Sequence, residues 1–447
     1  MPSSTETPFE CSLGSRARAA LFLVIVAVPG LSFVATTIRI AAASVLEGKG
    51  GLSELQKAVA LDPADPEVHR RLGILECYLL NPPNYADGLK QFRQATELAP
   101  LSSLYWSNLG SACESSGDRA CADTAFERLL SLNPMMPRSY WVVGNHYLRT
   151  DRSQEALAQF RRLLELGPDS GYAERTFELC LQAVNDPDTV FRQVLAGGKN
   201  PDLGLDYVDY LGRHGQSDAA YRVWTLAVAN AQSFPLALAK PYLERLLSLQ
   251  RYQEALAVWE DLERLGIVKK PANEDLGNLV FNGGFEQDPL NAGFDWHSAK
   301  ASFLSFDFAD PGAHQGNRCL RLNFTVKRNE TYQPVLQLVP VVSGQAYQLA
   351  AYVRSEDITS DSGPRLHVFD PIHSEDLDVS TETTAGTTPW HRINLTFQAG
   401  PDTRFVVVSV WRPRSRTFPP EISGSFWLDD VSLKPVNSAA QTEAPGD

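Results

Sequence analysis

The chain has 447 residues, room for about three domains of average size. Its hydrophobic content of 43% and charged content of 21% exclude global disorder. The 40 Lys and Arg against 53 Asp and Glu give a net charge of −13, which argues against a nucleic-acid backbone as ligand and against electrostatic adhesion to anionic lipid; the six Cys (11, 77, 113, 121, 180, 319), with no CxxC among them, are too few for a disulfide-framed scaffold.

Residues 1–18 read as a cytoplasmic tail and 19–40 as a transmembrane signal-anchor helix. Ala19 to Ile38 holds 20 residues without a charge, enough helix to cross a bilayer core of about 30 Å. Pro29-Gly30 in its middle is better tolerated in a membrane than in a soluble helix. Arg16 and Arg18 before the stretch favour the N-terminus inside, so the bulk of the chain is expected on the periplasmic or extracellular side of the inner (cytoplasmic) membrane. The rival is a cleaved signal peptide with Ala41-Ala42-Ala43 as cleavage site; the length of the apolar run and the interruption at Arg39 count against it.

A 34-residue period follows. Pro100, Pro134 and Pro168 are in phase, as are Gly110 and Gly144, Ala122 and Ala156, and Phe126 and Phe160. The previous unit ends at Pro63, and Asn81-Pro82-Pro83 accounts for its three extra residues. The residue types predict paired antiparallel helices: Leu109-Gly110 supplies a knob and a close-approach site, Ala122 faces it, Phe126 fills the space between helices, and Pro134 stops the unit. This pattern resembles the tetratricopeptide repeat (TPR), with Gly88 departing from its Ala position and Glu76 and Cys113 from its Tyr position. Helices are predicted to continue over 172–184, 203–213, 217–230, 236–249 and 253–265, with a leading half-unit at 52–63, so the array spans 44–268. The resemblance implies a groove that binds a protein partner. Trp106, Tyr140 and Trp259 read as packing residues, and Trp141 as the aromatic nearest to surface-facing. Cys113 and Cys121 read either as a disulfide or as two buried thiols.

After Lys269-Lys270-Pro271 the pattern alternates. Strands are predicted at 318–324, 334–339, 348–354, 365–369, 391–397, 404–411 and 425–433, forming an all-β sandwich. Leu320, Leu322, Phe324, Leu349, Ala351, Val353, Leu366 and Val368 point inward. NLVFNGGFEQ (278–287), Trp296, VSGQAYQLAAYVR (342–354) and FWLDDVSL (426–433) make residues 272–436 similar to carbohydrate-binding modules with a galactose-binding-like jelly roll, and 437–447 reads as a disordered tail. That resemblance implies a structural calcium between Glu286 and Asp430. It also implies a polysaccharide ligand on the non-core face, where stacking and hydrogen-bonding types nominate Gln337, Tyr352, Arg354, His367, Phe369 and Trp411, with Arg412 directed oppositely to Trp411. Trp296, Trp390 and Trp427 are assigned to the core.

The fold expected is therefore a multidomain α plus β chain: a transmembrane helix, an α-helical TPR solenoid and a C-terminal all-β jelly-roll sandwich. None of the HExxH, GxSxG, P-loop or GxGxxG motifs occurs. Asp429-Asp430 lies in a predicted strand, so its carboxylates are expected to diverge, and the group His367, Asp370, His373, Glu375, Asp376 and Asp378 reads as a solvated polar loop. The function expected is that of a non-enzymatic, membrane-anchored envelope scaffold for polysaccharide assembly or export. Its rivals are a purely structural interaction protein whose sandwich docks on the repeats and, more remotely, a cryptic glycan hydrolase.

Overall fold

The computed structural model describes residues 15–436 apart from 170, 230–232, 272–274, 276, 301, 303 and 419. Residues 1–14 of the expected N-terminal tail and the expected tail 437–447 lie outside the described residues. The chain divides into two compact units, 1–185 and 186–447.

The first unit opens with α1 (Arg16–Lys49), a single helix of 34 residues. It is long and apolar enough to cross a membrane by length and composition, and none of its uncharged stretch is buried. It does not stop where the uncharged run ends. Ala43 is buried, and with Leu46 it packs against α2 (Leu52–Leu61), so the predicted half-unit is a complete hairpin whose first helix is the continuation of the apolar helix. Gly50, in the left-handed region at φ 71°, turns the chain between them.

Antiparallel hairpins follow: α3 (Pro66–Ile74) with α4 (Tyr85–Leu98), α5 (Ser103–Ser116) with α6 (Arg119–Leu132), and α7 (Pro137–Arg149) with α8 (Ser153–Leu166), then α9 (Ala173–Val184). The 34-residue pattern has a direct cause. A methyl group on Gly110 would lie 2.6 Å from the Phe126 ring, and one on Gly144 would lie 2.7 Å from Phe160, so each glycine is the seat of the phenylalanine of its partner helix. In the first repeat a π-helical turn, Leu75–Leu79, takes up extra chain and presses Cys77 onto α4. A methyl at position 88 would collide with the Cys77 sulfur and lie 3.2 Å from the Gly73 carbonyl, which explains why Gly88 replaces alanine.

Cys113 and Cys121 form a disulfide across the α5–α6 turn, with Cα atoms 5.7 Å apart, which accounts for a cysteine at the tyrosine position. Buried His146 ties three helices together, its ring nitrogens lying 2.8 Å from Glu114 and 2.9 Å from Asp123. Trp141, of the array's aromatics the one read as nearest to surface-facing, packs between helices as well. It is half-buried, its ring centroid 5.8 Å from that of Phe160 and 5.0 Å from that of Tyr172.

The second unit begins with α10 (Pro187–Gln193), a short helix capped by Asp186. Then come α11 (Pro201–Arg213), α12 (Ser217–Val228), α13 (Leu236–Ser248) and α14 (Tyr252–Arg264). Among the described residues ten strands follow: β1 (His297–Ser298), β2 (Leu304–Asp310), β3 (Cys319–Arg328), β4 (Tyr332–Pro340), β5 (Ala346–Ile358), β6 (Arg365–Phe369), β7 (Asp378–Ser380), β8 (Gly386–Gln398), β9 (Phe405–Arg412) and β10 (Ile422–Pro435). They form two five-stranded antiparallel sheets, β1-β4-β9-β6-β7 (sheet A) and β2-β3-β10-β5-β8 (sheet B). The eight predicted inward residues from β3, β5 and β6 all lie in the core between the sheets, with Trp296 among them.

The helices of this unit are not separable from its sandwich. Trp259 of α14 meets the Phe281 and Phe294 rings at centroid distances of 5.5 and 6.1 Å, and Tyr252 meets Phe405 at 5.5 Å. Glu244 of α13 accepts the Gly293 amide at 3.0 Å. Gly293 has φ 58°, and a methyl there would collide with the Trp259 indole, so this contact requires glycine twice over. Aromatic rings thus pack tightly across residues 268–272, between α14 and the sandwich of this unit.

Candidate functional site

Register decides which of the nominated residues share a face. On sheet A, Trp411 pairs with Arg365, Ser409 with His367 and Val407 with Phe369, so β6 and β9 place these six side chains on the outer face. Here the His367 ring lies between two aromatic neighbours, its centroid 4.6 Å from Trp411 and 4.9 Å from Phe369. The Arg365 guanidinium lies 5.7 Å from the Trp411 centroid. Trp411 and Phe369 stay half-exposed while His367 is buried.

The polar atoms of this face are incompletely satisfied. The His367 Nε2 lies 2.7 Å from an Asp378 carboxylate oxygen, while Nδ1 is buried without a partner. The Nε of Arg365 is likewise buried and unpartnered, and burial lowers the guanidinium pKa. Gln333 reaches the face from β4 and donates to the Ser409 hydroxyl at 2.5 Å. The sequence nominates neither Arg365, Gln333 nor Ser409; the pairing of β9 with β6 and β4, which brings them to one face, has no local signal.

Three nominated residues lie elsewhere. Gln337 is a correction. It pairs with Val408 on the inner face and is fully buried, donating to the Phe281 carbonyl and accepting its amide, both at 2.8 Å. It clamps the opening segment to β4 and presents nothing to a ligand. Tyr352 and Arg354 lie on the outer face of sheet B, with a whole sandwich between them and Trp411, so the six nominees do not form one patch.

On that second face the rings are already covered. His314 stacks on Tyr352 at 3.6 Å with the planes 13° apart, and Arg354 and Arg321 lie 4.5 and 5.0 Å from the Trp427 centroid. Trp427 is therefore buried, but beneath two arginines outside sheet B and not in the core, and Trp390 is half-exposed against His314. Arg412 is directed opposite to Trp411 as expected; it is fully buried and donates to the Ser362, Glu330 and Pro420 carbonyls at 2.8–3.0 Å.

The Asp429-Asp430 pair also corrects an expectation. A bulge interrupts the β10–β5 register after Asp429, and Asp430 takes φ 51°. The carboxylates consequently do not diverge: an oxygen of each lies 4.0 Å from where a methyl on Gly284 would sit. Burial first, and then the neighbouring Asp430, push Asp429 up to about 6. Each acid has a proton donor. Asp429 accepts the His314 amide at 2.8 Å, His314 Nδ1 lies 2.6 Å from Asp430, and Glu286 accepts the Asn317 amide at 2.8 Å. Among the described residues no group of three or more His, Cys, Asp or Glu is arranged to hold a metal. In the loop after β6, Asp370 is buried and accepts the Ile372 and His373 amides and the Thr403 hydroxyl, while His373, Glu375 and Asp376 remain at the surface.

One end of the sheet A face is occupied by the chain itself. Phe405 meets Tyr252 and Phe294, and its outer-face neighbours Val407 and Leu338 are buried. A crevice of about 120 Å³ lined by Tyr252, Gln253, His373 and Arg404 among others lies at that end.

Residues 114–171 match the tetratricopeptide repeat family. No curated protein sequence matches the chain. Among solved structures the chain is similar to a MamA protein, at 17% identity over 45% of this chain and 98% of that one, TM-score 0.30. It is similar to YrrB, a TPR protein with an unusual peptide-binding site, at 17% identity over 41% and 89%, TM-score 0.28. It is also similar to a Family 16 carbohydrate-binding module, at 15% identity over 35% and 99%, TM-score 0.25.

Proposed function

We propose that this protein is a non-enzymatic scaffold anchored by α1, with its folded units on the outer side of the cytoplasmic membrane. In this reading the repeats of the first unit hold a protein partner, and the outer face of sheet A holds a polysaccharide during its assembly or export. The observation that carries the glycan reading is the set of unpaired buried polar atoms, His367 Nδ1 and Arg365 Nε, beside the half-exposed rings of Trp411 and Phe369. Leaving such groups unpaired costs about 1–3 kcal/mol each. A sugar supplies hydroxyls for them and an apolar ring face for the indole. The Cys113–Cys121 disulfide supports placement in an oxidising compartment. A calcium at Glu286 and Asp430 belongs to the same proposal, since a cation would offset the charge of buried Asp429 and half-buried Asp430 side by side.

The test is binding of the full chain, reconstituted in lipid nanodiscs, to a polysaccharide and oligosaccharide array. Trp411→Ala is expected to abolish binding and Tyr352→Ala to leave it intact, because His314 already covers the Tyr352 ring. Absence of binding to every glycan refutes the proposal. The structural alternative would then stand, and the aromatic seam between α14 and the sandwich favours it.

A further inference from the structure

One edge of the first unit, the one on which α2 ends beside Arg39, bears exposed apolar side chains. Since α1 and α2 are antiparallel, α2 ends beside the middle of α1, and the Arg39 guanidinium donates to the Leu61 carbonyl at 3.0 Å. The later helices alternate in direction, and α4, α5, α6 and α8 have 14 residues each. The turns after α2, α4 and α6 therefore return to one edge, and the first of them lies beside Arg39. A bond of 2.7 Å from Asn133, at the end of α6, to Ser103, at the start of α5, holds two of these turns side by side.

The first of these turns, 62–65, carries Asp62 and Asp65, whereas the next two are unusually apolar. Leu101 is 78% exposed, Leu104 53%, Met135 70% and Met136 51%. Leu101 and Met135 occupy the same place in successive repeats. Single exposed leucines need no explanation, but four large apolar side chains in two adjoining turns do. The opposite edge carries Gly50-Gly51, residues 80–84, Gly117-Asp118 and Thr150–Arg152, with Tyr78, Leu79 and, one turn before Gly50, Val45 as exposed large hydrophobics. Half-buried Trp106, whose indole donates to the Pro100 carbonyl at 2.9 Å, and exposed Arg138 flank the four on the apolar edge, residue types favoured at a bilayer interface.

We propose that this edge lies in the interface of the same bilayer that α1 crosses, with Leu101, Leu104, Met135 and Met136 inserted among the lipid headgroups. The inference rests on the reading of α1 as a membrane span. It gives the repeat array a fixed posture: helix axes upright on the membrane and one row of turns seated in it. The partner groove is then presented next to the membrane surface.

The test uses the full chain in phosphatidylcholine vesicles carrying a nitroxide-labelled lipid. An environment-sensitive fluorophore is attached at Leu101→Cys or Met135→Cys in a Cys11→Ser background. Ala120→Cys, on the opposite edge, and Phe33→Cys, within α1, serve as controls. The expected result is lipid quenching at 101 and 135 several-fold above that at 120. Quenching at 33, with quenching at 101 and 135 no stronger than at 120, overturns the proposal, leaves the span intact and points to a soluble protein covering this edge. No quenching at 33 overturns the span and the proposal together.

Discussion

Glu76 offers a sharp test of the packing in the first unit. The π-helical turn that accommodates extra chain also turns this side chain inward, where it is 4% exposed and its Oε2 has no partner. Burial, with a smaller contribution from Asp87, lifts its pKa from an ordinary 4.5 to about 7. The sign follows from linkage. Below the unfolded value both states hold the proton and the group is neutral in effect. Between 4.5 and about 7 the unfolded chain ionises first, so stability falls as pH rises, and the full penalty is present above about 7. At 1.36 kcal/mol per unit that penalty is about 3 kcal/mol. Glu76→Gln removes it but introduces unpaired amide hydrogens, which leaves a net gain of about 2 kcal/mol at pH near 8. For a unit of this size that corresponds to a melting shift of about 4–8 °C. The assay is circular dichroism of the helical transition, full chain in nanodiscs, at about pH 5 and about pH 8. A gain that is equal at the two pH values, or absent at the higher one, refutes the argument.

Gly144→Ala drives a methyl to 2.7 Å from the Phe160 ring, and about 1–3 kcal/mol of overpacking is expected to outweigh the gain in helix propensity; a denaturation midpoint equal to that of the parent chain would falsify the glycine–phenylalanine account. Gly293→Ala meets the Trp259 indole, lies 2.8 Å from Leu243 and forces a non-glycine residue to φ 58°, so a loss of about 2–4 kcal/mol in the second unit is expected, read by tryptophan fluorescence. Retention of full stability would mean that the helices and the sandwich separate easily. Calcium in excess is expected to raise the melting temperature of the second unit by several degrees over a chelated sample, and an unchanged midpoint would eliminate metal at Glu286 and Asp430.

Much of this architecture was legible because it rests on short-range periodicity. The 34-residue repeat reports glycine–phenylalanine contacts within single hairpins, and the alternation of β3, β5 and β6 reports which side of one strand is dry. The candidate site was legible only by strand. His367 and Phe369 on β6 and Trp411 on β9 were placed on outer faces correctly, but which strands lie side by side is settled by non-local pairing. Alternation alone therefore does not separate Tyr352 and Arg354 on sheet B from the residues of sheet A. Gln337 failed for a different reason. A glutamine in an alternating strand reads as outward, unless a distant backbone segment, here Phe281, needs both a donor and an acceptor inside.

The join between anchor and array was hidden by the same limit. Hydropathy registers where charge resumes, at Arg39, and so places a boundary there. Helix geometry continues regardless, because the residues after Arg39 are good helix formers and Gly50 is the first to stop them. A free linker would let the array tumble above the membrane. A helix that runs unbroken into the first hairpin, with Arg39 bonded to Leu61 and Glu47 paired with Arg71 at 2.9 Å, ties the first repeat directly to the apolar helix. If α1 spans a bilayer, the orientation of the first repeat follows that of the span. Inserting a flexible glycine-serine stretch after Ile40 is therefore expected to leave the protein in the membrane fraction while weakening lipid quenching at positions 101 and 135.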